Sequence, residues 1–163
     1  MIAMKITTTK QNTIDIINKL KEQNQTITFA ESCTGGRIAS KFTAISGVSS
    51  VLMGSAVTYA NEIKSAWLGV REETLIKHGA VSSQCVEEML TGILRMASAD
   101  HAIAVSGIAG PTGGTEEKPV GTVYIGIKNN NKTIIEHHLF QGNREAVQVE
   151  ATATAIALLK NNL

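Results

Sequence analysis

The sequence has few of the residues that mark specialised protein classes. Its 163 residues include only two cysteines, Cys33 and Cys85, which lack CxxC spacing, so we expect neither a disulfide framework nor a zinc site. The amino-terminal residues have no apolar signal-peptide core, and no apolar run approaches the ~20 residues of a membrane span. We therefore expect a cytoplasmic protein that is neither secreted nor held in a membrane.

Aromatic residues and excess charge are also scarce. Only 4% of the residues are aromatic, and the formal net charge is +1. There is no basic stripe interleaved with aromatic residues, which argues against nucleic-acid binding. The 43% of hydrophobic residues is ordinary for a globular protein, and a chain of this length can enclose one core. Without repeats or a linker, residues 1–163 are expected to form a single domain.

The hydrophobic pattern alternates between helical and strand periodicity. It predicts helices at Thr13–Gln23, Gly36–Ile45, residues 61–69, 71–79 and 82–99, and from Arg144 to about Asn161. It predicts strands at residues 26–32, Val51–Tyr59, 102–107, 121–129 and 132–141, with a hairpin turn at Asn129–Asn131. The early alternation and the late hairpin indicate the α/β class, with a mixed sheet covered by helices.

The stretch AESCTGG places Ser32 between a predicted strand and a predicted helix. Such a turn exposes backbone N–H groups that can stabilise an oxyanion, and glycine allows a substrate to approach the backbone. Alternatively, Ser32 or Thr34 simply caps the helix. The Gly-x-Ser-x-Gly and Ser-x-x-Lys motifs are both absent here, so this stretch alone leaves the two interpretations open.

A nucleophilic serine needs a base, and Lys64 has the best physical rationale for that role. The four histidines, His78, His101, His137 and His138, fall at positions that favour surface or structural roles.

Tyr59 ends a predicted strand, and Asn61 suits an N-cap, which would put Lys64 at the third helical position. The positive end of the helix dipole and burial would both lower the pKa of Lys64. The alternative is an ordinary solvated helix lysine.

Two further segments suggest anion binding. The loop GIAGPTGG resembles a phosphate cradle, but it lacks the ending of a P-loop and the GxGxxG spacing of a dinucleotide fold. Gly142 and Asn143 predict a turn and cap that leave Arg144 at a helix amino terminus, which suits a monophosphate, although Arg144 could equally be a surface residue. Glu116 and Glu117 are more typical of solvated charge than of a cation site, so we expect no metal.

Five segments, AESCTGG, VTYANEIK, GAVS, SGIAGPTGGTEEKPVGTV and GNRE, together resemble the carboxy-terminal domain of the CinA family. The resemblance runs from about Ile14 to Leu159, with the blocks in the family's order, and is closest to the form in which this domain stands alone. It implies a three-layer α/β/α fold with a mixed, mostly parallel sheet.

The resemblance also implies an activity and a set of site residues. The family is described as serine–lysine amidohydrolases, and the resemblance implies that the substrate is nicotinamide mononucleotide and that no cofactor is used. Ser32 would be the nucleophile, Lys64 the general base and Tyr59 a supporting hydroxyl. The expected substrate-binding residues are Thr34, Gly35, Gly36, Ser106, Gly107, Gly110, Gly113, Gly114 and Arg144.

Three more expectations accompany the resemblance. Cys33, next to the expected nucleophile, should point away from the site and serve in packing. The chain is expected to form a homo-oligomer. The alternative to the enzyme is a catalytically silent homologue that keeps the fold as a nucleotide-binding or interaction module.

Overall fold

The computed structural model describes residues 2–163, which surround a five-stranded sheet with helices. The strands are β1 (Ile27–Glu31), β2 (Leu52–Val57), β3 (His101–Gly107), β4 (Thr122–Lys128) and β5 (Thr133–Leu139). The helices are α1 (Ile2–Gln23), α2 (Arg37–Thr43), α3 (Asn61–Leu68), α4 (Glu72–His78), α5 (Ser83–Ala97) and α6 (Arg144–Lys160), and a short 3₁₀ helix covers Val48–Ser50. The α/β class expected from the sequence is confirmed.

The sheet has the strand order β2-β1-β3-β4-β5. β1 pairs in parallel with β2 and β3, whereas β4 pairs antiparallel with β3 and β5. Four strands therefore point the same way and β4 is reversed, which confirms the mixed, mostly parallel sheet in terms of strand direction. The strand pairs themselves divide equally between parallel and antiparallel.

Helices cover both faces of the sheet and form three layers. α1, α2 and α6 bury one core against strand residues such as Phe29 and Val105. α5, with α3 and α4 beside it, buries the second core against Ala30 and Ala104. Because successive strand residues point to opposite faces, the large residues serve the first core and the alanines leave room for α5. The three-layer arrangement is confirmed.

Most element ends differ from the sequence-based expectation by one or two residues, and the start of α1 differs by more. α1 begins at Ile2, although the apolar periodicity of Ile14, Ile17 and Leu20 predicted a start near Thr13. Extending an existing helix is cheap because each added residue gains one hydrogen bond, so the largely exposed first half continues the buried second half. β2 ends at Val57, two residues earlier than predicted, because the chain then turns toward α3.

The carboxyl ends of β1, β2 and β3 lie at the same edge of the sheet because these strands are parallel. The chain leaves this edge through the loop at residues 32–36, the connection to α3 and the glycine-rich loop at 108–121. In α/β sheets, ligands typically bind outside the carboxyl ends of the strands. The fold thus brings together three of the segments that the sequence marked as functional.

Candidate active site

Ser32 and Lys64 meet at the carboxyl edge of the parallel strands. Ser32 directly follows β1, and Lys64 lies in α3, the helix that follows β2. The Lys64 Nζ atom is 3.1 Å from the Ser32 Oγ atom. Both side chains are buried, with Ser32 7% and Lys64 1% exposed. The interpretation of Lys64 as a solvated surface lysine is therefore wrong.

Two backbone carbonyls fix the Lys64 amine beside Ser32. Nζ donates to the Thr58 carbonyl at 2.8 Å and to the Tyr59 carbonyl at 3.0 Å. A neutral amine has two N–H donors and one lone pair, so the two carbonyls can take both donors and leave the lone pair for the Ser32 hydroxyl. This geometry suits a base that removes the serine proton.

Burial favours the neutral form of this amine, since removing a cation from water lowers the pKa of Lys64. The helix position is less favourable than predicted. Ala60, not Asn61, is the N-cap of α3, so Lys64 is the fourth helical residue rather than the third. Desolvation is therefore the main cause of the lowered pKa.

Ser32 does not cap the following helix. Gly36 is the N-cap of α2 and has no side chain to offer. Gly35 and Gly36 have φ angles of +60° and +94°, in the left-handed region that favours glycine, and the Gly35 N–H donates to the Ser32 carbonyl at 3.0 Å. The turn thus leaves the Ser32 hydroxyl to Lys64.

The same turn narrows the set of oxyanion donors. The Gly35 N–H is used within the turn, so it is less suited to that role than its neighbours. Over residues 2–163, the backbone N–H groups of Thr34 and Gly36 have no hydrogen-bond acceptor. Of the three loop residues expected to offer such donors, these two remain candidates for stabilising negative charge beside Ser32.

Tyr59 and Arg144 form a second cluster, which the Tyr59 backbone connects to the Ser32–Lys64 pair. The Arg144 guanidinium donates to the Tyr59 hydroxyl at 2.8 Å and to the Gly110 carbonyl at 2.7 Å. The Tyr59 side chain therefore lies with Arg144, and Tyr59 reaches Lys64 only through its backbone carbonyl. Asn143 is the N-cap of α6 and accepts from the Ala146 N–H at 2.9 Å, which confirms the predicted cap and places Arg144 at the first helical position.

A shallow cleft of about 720 Å³ opens beside Arg144. Its lining includes Arg37 at the start of α2, Pro111 in the glycine-rich loop, and Asn143 and Gln148 of the α6 region. The Gln148 amide donates to the Cys33 carbonyl at 3.0 Å, so the cleft borders the loop that carries Ser32. Two guanidinium groups at one cleft suit a phosphate.

The remaining predicted binding residues contribute less directly. The Ser106 hydroxyl is buried and donates to the Ala80 carbonyl at 2.8 Å, so it ties β3 to the loop before α5. The Thr34 side chain is buried and donates to Glu31. Gly107 ends β3, and Gly113 and Gly114 lie in the exposed part of the glycine-rich loop.

Neither cysteine is suited to act as a nucleophile. Burial raises the pKa of the Cys33 thiol to about 12 and that of Cys85 to about 11. Both side chains belong to the hydrophobic cores. Because the thiolate is the reactive form, these thiols are inert at neutral pH.

Four residues near the site escaped the sequence analysis: Glu31, Arg37, Thr58 and Gln148. Arg37 follows two glycines at a predicted helix start, the same signal that marked Arg144, so it could have been found. Glu31 stands at a strand end just before the nucleophile, a position that hints at a role but does not reveal its partners. Thr58 and Gln148 act through contacts that no sequence pattern predicts.

Residues 2–163 contain neither a cluster of metal-binding side chains nor a membrane-spanning helix. No group of three or more His, Cys, Asp or Glu side chains in this part of the chain is arranged to hold a metal ion. Among its helices, none combines the length and the apolar character needed to cross a membrane.

Comparison with known sequences identifies the family. The profile described as "CinA C-terminal domain" matches residues 9–163. The nicotinamide-nucleotide amidohydrolase PncC of Escherichia coli strain K12 is 50% identical over 141 residues, which cover 86% of this chain and 86% of that protein. A CinA-like protein of Thermotoga neapolitana is 43% identical over 148 residues, and the chain spans only 36% of its length.

Comparison with solved structures gives the same grouping. The crystal structure of competence damage-inducible protein A from Klebsiella pneumoniae has a TM-score of 0.90 and 40% sequence identity, covering 94% of this chain and 95% of that one. A competence/damage-inducible protein from Agrobacterium tumefaciens has a TM-score of 0.91 at 38% identity, with 93% of each chain covered.

Proposed function

The chain belongs to the CinA C-terminal domain family, and from that premise we propose that it is a nicotinamide-nucleotide amidohydrolase. It would convert nicotinamide mononucleotide and water into nicotinic acid mononucleotide and ammonia. The similarity to the amidohydrolase of Escherichia coli, which covers most of both chains, supports the substrate. The 3.1 Å contact between two buried side chains, Ser32 and Lys64, is the observation that carries the mechanism.

The first half of the proposed reaction forms an ester on Ser32. The neutral Lys64 amine accepts the hydroxyl proton while Oγ attacks the carboxamide carbon. The carbonyl oxygen becomes an oxyanion. The free N–H groups of Thr34 and Gly36 lie in the same loop as Ser32 and would stabilise this charge. The C–N bond then breaks as the Lys64 ammonium gives its proton to the departing nitrogen, which leaves as ammonia.

The second half releases the product. A water molecule attacks the ester carbon, and neutral Lys64 again accepts the proton. The bond to Oγ breaks, Oγ recovers the proton from Lys64, and the carboxylic acid of nicotinic acid mononucleotide leaves. The Thr58 and Tyr59 carbonyls hold the amine in place through both halves. In this scheme every proton transfer runs through the Lys64 amine.

Recognition of the nucleotide phosphate is assigned to the cleft beside α6. Arg144 stands at the amino terminus of α6, where free backbone N–H groups and the helix dipole add to its charge. Arg37 lines the same cleft and adds a second guanidinium. The Tyr59 hydroxyl holds Arg144 in position, so Tyr59 supports binding through its side chain and catalysis through its carbonyl.

The test is ammonia release from nicotinamide mononucleotide by the native chain and by Ser32→Ala, with nicotinamide riboside as the substrate that lacks phosphate. We expect steady release by the native chain, none by the variant, and a much lower kcat/KM for the riboside. If the native chain releases no ammonia, the chain is a silent binding module. Full activity in Ser32→Ala would refute the serine mechanism while leaving the amidohydrolase assignment in place.

A further inference from the structure

Glu31 is a fully buried carboxylate next to the nucleophile. It is 0% exposed and is the last residue of β1, immediately before Ser32. Its Oε1 atom accepts from the Thr34 hydroxyl at 2.7 Å and from the Ile38 N–H at 3.0 Å, and its Oε2 atom accepts from the Ala39 N–H at 3.0 Å. A buried charge is costly unless it is hydrogen-bonded, and all of these donors serve that purpose.

These contacts close the loop that carries Ser32. Helix α2 has no side-chain cap of its own, because Gly36 is its N-cap. The Glu31 side chain instead accepts from the second and third N–H groups of α2 and from the Thr34 hydroxyl in the middle of the loop. The Glu31 side chain thus holds the middle of the loop at residues 32–36, and the first turn of α2 that follows it, close to the end of β1.

The Glu31 backbone is tied to the other half of the site. Its carbonyl accepts from the Thr58 N–H at 2.9 Å, and the Thr58 carbonyl in turn holds the Lys64 amine at 2.8 Å. Glu31 therefore links the loop of the nucleophile to the peptide that orients the base. It does so without touching Ser32 Oγ or Lys64 Nζ.

From these contacts we infer that Glu31 is a positioning residue, which holds the Ser32 loop in register with Lys64 and so sets the distance between Oγ and Nζ. The inference rests on the proposed function, because it assigns Glu31 a part in that reaction. Glu31 neither accepts nor donates a proton in the chemical steps. A displacement of about 1 Å between reacting groups can cost about 100-fold in rate, so a tie of this kind affects kcat directly.

The variant Glu31→Gln tests this role with little change of shape. An amide keeps only one acceptor oxygen, so in either orientation its NH₂ group must face an N–H donor of α2. We expect kcat for nicotinamide mononucleotide to fall about 10- to 100-fold, with KM changed less than about twofold. Glu31 does not line the phosphate cleft, and Arg144, the cleft residue at the start of α6, is held by the Tyr59 hydroxyl and the Gly110 carbonyl instead of by Glu31, which is why KM should change little.

The chain offers a matched control in Glu88. Its carboxylate, on α5, accepts from the Arg71 N–H at 2.9 Å and from the Thr74 hydroxyl at 2.7 Å, so it ties the start of α4 through the same two kinds of donor, and it also pairs with the Arg71 side chain at 2.7 Å. α4 contributes no residue to the Ser32–Lys64 contact. Glu88→Gln should lower Tm but leave kcat within about twofold of the native value. If Glu31 had only a structural role, Glu31→Gln would likewise lower Tm and leave kcat nearly unchanged.

A second pair of variants serves if Glu31→Gln does not fold. Thr34→Val removes one of the donors to Glu31 and leaves both α2 N–H contacts intact. It should lower kcat by about threefold to tenfold, a smaller loss than for Glu31→Gln, and Thr34→Ser, which restores a hydroxyl, should recover most of it. Native kcat in folded Thr34→Val would overturn the proposal.

A measurement that needs no substrate distinguishes the positioning role of Glu31 from the proposed amidohydrolase function. The rate at which a fluorophosphonate probe labels Ser32, followed by intact mass, reports how well Lys64 activates the hydroxyl. We expect slower labelling of Glu31→Gln and native labelling of Glu88→Gln. Slower labelling together with a native chain that releases no ammonia would refute the proposed function but not the positioning role. Native kcat and native labelling in Glu31→Gln would refute the positioning role alone.

Discussion

The Lys64 side chain must be neutral to act, and burial makes that possible. An ordinary lysine, with a pKa near 10.5, is almost entirely charged at neutral pH, and burial lowers the pKa of Lys64 from that value. The two carbonyls beside Nζ carry no full negative charge that would raise the pKa of Lys64 again. The site therefore depends on desolvation to prepare its base.

This dependence predicts the pH profile. Because the neutral amine is the reactive form, kcat/KM should rise with pH through an apparent pKa below 10.5 and then level off. Stability should also rise with pH over this range, because the unfolded chain still binds a proton at Lys64 that the folded chain has already lost. Lys64 therefore increases the free energy of unfolding as pH rises from the lowered pKa of the folded chain to the ordinary pKa of the unfolded chain.

Initial rates and denaturant unfolding across the alkaline range check both trends. Lys64→Met removes the titrating group while filling its space, so the variant should be inactive and should lose this part of the pH dependence of stability. A native rate that falls as pH rises through this range would contradict the role of a neutral lysine.

The buried Thr58 hydroxyl lowers the stability of the folded protein. Its hydroxyl is buried and has no hydrogen-bond partner within residues 2–163, although its carbonyl holds Lys64. An unsatisfied buried polar group costs about 1–3 kcal/mol, so Thr58→Val should raise the free energy of unfolding by about 1 kcal/mol. Denaturant unfolding measures this change.

Thr28→Val is the matched control for this prediction. The Thr28 hydroxyl is equally buried but donates to the Gly54 carbonyl at 2.8 Å. Its loss should therefore destabilise the protein by about 1 kcal/mol. If both variants are destabilised alike, the Thr58 hydroxyl has a partner in solution.

For the helices, the start of α6 connects stability to binding. The Asn143 cap holds the first turn of α6, and Arg144 in that turn faces the cleft. Asn143→Ala should cost about 1 kcal/mol of stability and raise KM for the nucleotide by several-fold, because the N–H groups and Arg144 lose their fixed direction. Steady-state kinetics and thermal unfolding measure the two effects.

The cap of α5 provides the comparison. The Ser82 hydroxyl accepts from the Cys85 N–H at 3.1 Å, so Ser82→Ala removes a cap of the same kind in the opposite helical layer. It should lower stability without raising KM. An equal rise of KM in both variants would mean that general loosening, and not the local cap, controls nucleotide binding.

The sequence predicted most of the helices and strands, because their hydrophobic periodicities are regular. The largely exposed first half of α1 was missed, since no regular apolar repeat marks it and its helical state depends on the buried second half. The α3 cap was misassigned because Asn61 and Ala60 are neighbours and only backbone geometry separates their roles. Local patterns thus give element types better than they give element ends.

For the molecule as a whole, the site joins segments that are far apart in the chain. Ser32 and Lys64 could be proposed from the resemblance, but their 3.1 Å contact follows from the pairing of β1 with β2 and cannot be read from the sequence. The same is true of the link between Tyr59, Gly110 and Arg144, which spans three connections of the fold. The expectation of a homo-oligomer stays a prediction.

This assembly of distant segments predicts how phosphate recognition will respond to mutation. Arg144→Ala removes one charged partner of the phosphate, which should raise KM for nicotinamide mononucleotide about 10- to 100-fold and leave that for the riboside nearly unchanged. Arg95→Ala removes an equal charge from α5, outside the cleft, and should alter neither constant. An equal loss for both substrates would show that Arg144 supports the site without binding phosphate.

The most direct test of the central claim is to locate the acyl group during turnover. Native protein mixed with nicotinamide mononucleotide that carries a labelled nicotinamide ring is quenched in acid at short times, digested, and mapped by fragmentation mass spectrometry. The account predicts an ester of the labelled nucleotide on Ser32 that forms as ammonia is released and is absent in Ser32→Ala. Label on Cys33 or another residue, or turnover with no labelled protein at any quench time, would contradict it.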